Sequence, residues 1–357
     1  MTTPSSLIVI GAGIAGLCIA AVAQSRGLGV TVIARDRGGA TASGVAAGMV
    51  APALEALTEP EPDIAYSRLK AAEREWQAQD AAWGKPLNAL IAQARADADI
   101  RYVWPQSDNA SDITTPRLHA MGVAFRALKD EELGPVASDC DGVRIEGDWL
   151  VSANAVLDLL EARIVEGGAQ IIPGTAESIS ATQVRLADGT VLTAGHVVVA
   201  AGYDSAAFCG DVPALKTLSP IKGHLLELDR QGAAGVLRSP LGYLAGYGDT
   251  ARFGATMQFG RADTEVEPAA VADLKARAKQ ILPDLDLSGA EAKAGVRAAT
   301  PDGWPMIGRD IASGVLVAVG MRRNGYIFAP LAGRIVTALI LNEDLPDDAA
   351  LYRPDRF

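Results

Sequence analysis

The sequence predicts an α/β fold in which a parallel, Rossmann-like domain is interleaved with an α+β domain built on a mostly antiparallel sheet. Three observations carry that expectation. Gly11-x-Gly13-x-x-Gly16 follows directly on the apolar run Leu7-Ile8-Val9-Ile10. Apolar runs ending in glycine recur at residues 197–202 and 314–320. Between these two, residues 220–300 alternate in the manner of antiparallel strands. Pieces of α/β character at the start, middle and end, with mixed segments between them, describe two interleaved domains rather than two beads on a linker.

The elements follow in order. Residues 7–10 form a buried strand, the glycines turn the chain, a helix runs to about Ser25, and Gly27 and Gly29 stop it before a second strand at 30–33. Strand, turn, helix and strand in about 30 residues make one βαβ unit. Residues 36–60, rich in Gly, Ala and Pro, read as a long close-packed loop, and 61–82 as an amphipathic helix with Arg68, Lys70, Glu73 and Arg74 on its wet side. From 85 to 149 the pattern is mixed, with strand-like pieces at 100–104 and 142–145. Ser152 caps a helix through Val165, Gly167-Gly168 ends it, and 169–172 resumes a strand. Asp188-Gly189, between two alternating triplets, is a hairpin turn. Strands are expected at 222–228, 252–256 and 293–298, a helix at 267–281, and finally a strand at 314–319 and a helix to about Leu341.

Composition excludes several classes. The 357 residues are 49% hydrophobic and 21% charged, which rules out a disordered chain. The net charge of −11, with no Lys/Arg-rich run, argues against nucleic-acid partners. Three scattered cysteines and three histidines form neither a disulfide framework nor a metal motif. No basic stretch precedes the first apolar run, which is too short for a leader or a membrane span, so a soluble cytoplasmic protein is expected.

The glycine motif has a physical meaning. Gly11 makes the tight turn, Gly13 lets backbone approach a pyrophosphate, and Gly16 lets helix and strand pack closely. The phosphates would rest on the helix N-terminus at Ile14 and Ala15, where free N–H groups and the helix dipole favour negative charge. The motif alone does not separate NAD from FAD. At the end of the second strand, where an acidic ribose ligand is usual, Ala34 is followed by Arg35 and Asp36.

Further segments resemble the D-amino acid oxidase family, and the glycine oxidases within it. Ala34-Arg35-Asp36 and residues 42–52, with Ser43, Ala46, Ala47, Gly48 and Met49, resemble that family's flavin-contact stretch. Residues 196–202, ending Ala201-Gly202, resemble its second flavin-binding strand, and Lys222-Gly223 begins a strand the family also has. Residues 295–308 are similar to its substrate-arginine segment. Gly320-Met321-Arg322-Arg323-Asn324-Gly325-Tyr326-Ile327-Phe328-Ala329-Pro330 is similar to its C-terminal flavin loop. The resemblance implies FAD as cofactor, held non-covalently because no flavin-attachment motif is present. It implies a discontinuous FAD-binding domain over 1–60, 150–210 and 301–357, and a substrate-binding domain over 61–149 and 211–300.

The resemblance also implies roles. Arg297 would pair with a substrate carboxylate, which suits its planar, permanent charge. Tyr243 would help hold that carboxylate, with Tyr247 as a rival for the task, and Met257 would line the amino-acid pocket. Arg323 would sit by the flavin, and residues 320–327 would supply backbone N–H groups near its reducible end. Ala176 stands where the family usually has a valine at the adenine, and Met321-Arg322 where it has a His and an aromatic residue. His224 is expected to be structural and the cysteines to be packing residues.

The implied reaction is hydride transfer from an amine-bearing carbon to flavin N5, with an imine product hydrolysing to a 2-oxo acid and ammonia, and oxygen yielding hydrogen peroxide. It demands positioning rather than a side-chain acid or base. The implied partners are glycine or a small D-amino or N-alkyl amino acid and O2 or another electron acceptor, with no nucleic acid, no membrane, and homo-oligomerisation left open. Alternatives of the same resemblance are a dehydrogenase passing electrons to a quinone or carrier, a tRNA-modification module, and a flavin subunit of a hetero-oligomeric amine oxidase.

Overall fold

A computed structural model describes residues 6–357 except 37, 39, 40, 108, 109, 134, 135 and 138, and excepting the side chains of 230–233. Residues 1–5, whose lack of basic character entered the leader reading, and 37, 39 and 40 of the expected loop lie outside the described residues.

The expected α/β architecture is what the chain adopts. Six strands form one sheet in the order Met306–Arg309, Leu316–Val319, His196–Val199, Ser6–Ile10, Gly29–Ala34 and Gln170–Pro173. All neighbours are parallel except the first pair. The central strands are buried on both faces, which explains their near-continuous Val/Ile runs. Helices Ile14–Ser25, Ala153–Glu166 and Gly325–Leu341 belong to one large core with this sheet. The first and last approach so closely at Gly333 that an added Cβ would lie 2.9 Å from Val22 and 3.1 Å from the Cys18 carbonyl. The second core takes in the antiparallel strands Ala176–Ile179, Gln183–Leu186 and Val191–Thr193, turned at Asp188-Gly189 as expected.

The second large sheet is mostly antiparallel and is organised by one strand, Ser219–Ser239. It pairs with Gly242–Gly254, Gln258–Phe259 and Glu291–Ala299 antiparallel and with Ile100–Pro105 in parallel. Cys140–Ile145 and Phe125–Ala127 extend the sheet, and the helix Pro268–Ile281 contributes to its core.

Several expectations are corrected. The loop expected at 36–60 contains the short helices Ala42–Val45 and Pro52–Ala56 around the strand Met49–Val50. Thr41 caps the first of these, accepting from Gly44 N at 3.1 Å, and Pro52 opens the second with a φ already suited to it. The helix expected at 61–82 ends at Ala78, and Asp80–Ala96 follows, broken at Gly84 with φ 76°. A further helix, Ser111–Ala120, lies in the segment read as mixed. Trp76, Trp83 and Trp149 pack together beneath these helices, and Trp76 Nε1 donates to the Tyr326 carbonyl at 2.8 Å. Among the described residues no helix is long and apolar enough to cross a membrane.

Candidate active site

A cavity of about 1280 Å³ runs from the first glycine turn past residues 41–49 to the antiparallel sheet. That exceeds the roughly 300–1,000 Å³ of an ordinary small-molecule site, and suits a dinucleotide with a substrate beside it. At the turn, Gly11 has φ +112° and an added Cβ would lie 2.5 Å from the Ala200 carbonyl oxygen. Gly13 ends the turn without any side-chain cap, and the first turn of helix Ile14–Ser25 opens on the cavity, with Ile14 N donating to Ser43 Oγ at 3.0 Å. Such a turn can hold a pyrophosphate. Arg35 closes the same end, bonded to Asp36 at 2.7 Å and Asp204 at 2.9 Å, and Ala176, Ala201 and Gly202 also line it.

The middle wall is Ser43, Ala46, Ala47, Gly48 and Met49. Gly320, Arg322, Arg323, Gly325 and Tyr326 line the cavity as well. Three residues of the expected cofactor set do not. Gly16 is in the wall between strand and helix, where a Cβ would fall 1.9 Å from the Gly11 carbonyl oxygen. Asn324 is buried at the start of helix Gly325–Leu341, and Ile327 faces the core one turn in.

At the far end the antiparallel sheet presents Arg297, Tyr243 and Met257. Arg297, on the strand Glu291–Ala299, has no carboxylate partner among the described residues; its one hydrogen bond is a long 3.5 Å contact to the Thr256 carbonyl. Burial lowers its pKa, opposed by Tyr243 and Glu55. Gly223 makes room for it, since an added Cβ would lie 2.2 Å from Arg297 Nη1. Burial raises the pKa of Tyr243, so its hydroxyl stays protonated and can donate. Tyr247 is separated from this role, because its hydroxyl donates to the Ala47 carbonyl at 2.7 Å and it does not line the cavity. Met257 is 41% exposed and lines the cavity, so it is no core residue. His224 is buried and held by Thr256 Oγ1 at 3.1 Å and the Glu265 carbonyl at 3.2 Å.

Sequence reasoning missed the charge lattice that flanks Arg297. Buried Glu55 bonds Arg238 at 2.6 Å and also Arg323, which reaches Glu59 at 2.8 Å and Thr58 Oγ1 at 2.6 Å. Burial alone would raise the pKa of Glu55, but the two guanidinium groups outweigh it and hold the carboxyl below its usual range. Arg322, at φ 52°, pairs with Glu59 at 3.4 Å. Arg238 and Arg323 are thus compensated, while Arg297 has no carboxylate partner among the described residues. The partners are 183 and 268 positions apart, beyond the reach of any local pattern.

Comparison with known proteins agrees with this geometry. Residues 6–339 match the DAO family, described as FAD dependent oxidoreductase. The chain is 30% identical over 368 residues to the tRNA 5-methylaminomethyl-2-thiouridine biosynthesis bifunctional protein MnmC of Caulobacter sp. strain K31, covering 99% of this chain and 58% of that protein. Four such MnmC relatives are spanned to only 54–60% of their length. It is 31% identical over 170 residues to glycine oxidase of Bacillus subtilis, covering 46% of each. The fold superposes on the crystal structure of glycine oxidase from Geobacillus kaustophilus with a TM-score of 0.81 at 22% identity, over 99% of both chains. Family match, glycine turn and cavity agree, and the chain belongs to the DAO family of FAD-dependent oxidoreductases.

Proposed function

We propose that this enzyme oxidises the amine of glycine or of a small D-amino or N-alkyl amino acid. The observation that carries the reading is Arg297, a cavity-facing guanidinium with no carboxylate partner among the described residues, beside the protonated Tyr243. Bound FAD supplies the two-electron acceptor. Ser43, Ala46–Met49 and residues 320–326 would hold its flavin, and the glycine turn its pyrophosphate. The segments 1–60, 150–210 and 301–357 would form the cofactor domain, and 61–149 with 211–300 the substrate domain. None of the three cysteines lines the cavity, which favours non-covalent binding.

Arg297 would bind the substrate carboxylate with two parallel N–H donors, Tyr243 would add a third, and Met257 would close the pocket around the α-carbon. Together they orient the C–H bond and exclude water; no side chain need carry a proton if the amine binds uncharged. The product imine hydrolyses to a 2-oxo acid and ammonia, or the alkylamine where the substrate nitrogen is alkylated, and with oxygen as acceptor peroxide appears in equal amount. Purified protein should therefore release peroxide in air together with ammonia from glycine or D-alanine, or with methylamine from sarcosine. Ammonia or methylamine without peroxide, seen only with an artificial dye, would assign a dehydrogenase. No turnover with any of them would defeat the substrate class.

A second reading is favoured by the MnmC likeness, which extends along 99% of the chain. An N-substituted glycine carried on tRNA would present the same carboxylate and secondary amine to Arg297 and Tyr243. The net charge of −11 opposes a polyanionic carrier. A tRNA gel shift at low salt decides, since binding there would favour the carrier-bound substrate.

A further inference from the structure

Arg252 lies on the strand Gly242–Gly254, is 4% exposed, and does not line the cavity. One edge of its guanidinium faces Glu227, its direct cross-strand neighbour, at 2.9 and 2.8 Å. Glu227 also binds Lys293 of the strand Glu291–Ala299, so a chain of charges crosses three adjacent strands. The other edge leaves the sheet. Nη1 donates to the Gly44 carbonyl at 2.8 Å and to the Ala46 carbonyl, contacts that span 208 and 206 positions. Tyr247, whose ring lies under the Arg252 guanidinium at 5.9 Å, donates to the Ala47 carbonyl. From helix Gly325–Leu341, Tyr326 donates to the Ser43 carbonyl at 3.1 Å. Four carbonyls within five residues are each tied by a side chain remote in sequence.

We propose that Arg252, anchored by Glu227 and Lys293, is a positioning residue for the cofactor, preorganising residues 43–49 as the wall against which the flavin rests. The inference rests on the reading that this stretch contacts the flavin. A buried Arg–Glu pair serving only the sheet would be satisfied within the sheet. Here two of the guanidinium's bonds go instead to the cavity wall. Residues held before binding are not ordered at binding, and each one freed would weaken affinity by about tenfold.

The test reads FAD affinity from flavin fluorescence as apoprotein is titrated. Arg252→Met should raise the Kd at least about tenfold, and Arg252→Lys, which keeps the charge and a donating head but not the planar fork, should recover part of the loss. Glu227→Gln and Tyr247→Phe should each raise it by about threefold. The double variant Arg252→Met/Glu227→Gln should be no worse than Arg252→Met, because Glu227 acts through Arg252. A wild-type Kd in Arg252→Met overturns the proposal. If that variant does not fold, wild-type Kd values in both Glu227→Gln and Tyr247→Phe overturn it. Ala46→Leu, which obstructs the wall itself, separates the two levels. A raised Kd there with an unchanged one in Arg252→Met removes only the clamp. Unchanged values in both remove the flavin-contact reading and the clamp with it.

Discussion

Replacing Arg297 by Met separates binding from folding. The guanidinium has only a 3.5 Å contact to a carbonyl, no carboxylate partner among the described residues, and a pKa already lowered by burial. A substrate carboxylate would accept two charge-assisted hydrogen bonds from it, worth about 1.5–3 kcal/mol each. Their loss costs about 3–6 kcal/mol, so kcat/KM should fall by about 10²–10⁴-fold, mostly as raised KM because the bonds are made in the ground state too. The fold should respond in the opposite sense. A desolvated, unpaired cation is a burden, and its removal should leave the urea midpoint unchanged or raise stability by about 1 kcal/mol. Bound flavin should stay. Arg297→Lys should fall between, since it keeps the charge and loses the fork. The assays are steady-state kinetics, flavin content and urea unfolding on the same preparations. Normal KM in Arg297→Met would refute the assignment, and marked destabilisation would show a structural cation instead.

Gly223→Ala should raise KM with flavin retained, because a Cβ 2.2 Å from Arg297 Nη1 displaces the guanidinium; unchanged kinetics would show that the strand yields. Glu55→Gln leaves Arg238 and Arg323 short of a buried carboxylate and should cost about 3–5 kcal/mol by urea unfolding. The Glu55 carboxyl is held below its usual range, so its stabilisation is present above the unfolded pKa near 4.3 and is lost as pH falls through the lower folded value. Asp148 has the opposite sign. Burial raises its pKa from 3.8 to about 7, against the Ala53 and Leu54 N–H groups it accepts at 3.0 and 2.9 Å. The folded chain therefore holds this proton more tightly, and stability should decline by an amount on the order of 4 kcal/mol between about pH 4 and 7. The difference between wild type and Asp148→Asn, read at pH 5 and pH 8, isolates this slope; equal differences at both would refute it.

Much of the fold was legible because its signals are local. The first βαβ unit, the hairpin at Asp188-Gly189 and the helix Pro268–Ile281 each declare themselves within one continuous stretch of about thirty residues or fewer. The helices Asp80–Ala96 and Ser111–Ala120 were obscured by Gly84, Pro86 and Pro116. Gly84 is a real break at φ 76°, and Pro86 sits just after it, in the first turn of the segment that resumes, where a missing N–H is cheap. The site divides in the same way. The glycine turn could be read from spacing, and the place of Arg297, Tyr243 and Met257 on the cavity wall from the company they keep in family-like segments. Glu55–Arg238 and Arg252–Gly44 join strands to a segment about two hundred residues away, and nothing periodic marks such pairs.

The most direct test is an anaerobic absorbance titration of the purified protein with glycine, sarcosine and D-alanine. The protein should carry the visible flavin band, and at least one of these compounds should bleach it in wild type but not, at the same concentration, in Arg297→Met. A flavin band that none of them bleaches would contradict the proposed substrate class. A protein that neither carries nor takes up FAD would contradict the reading of the cavity itself.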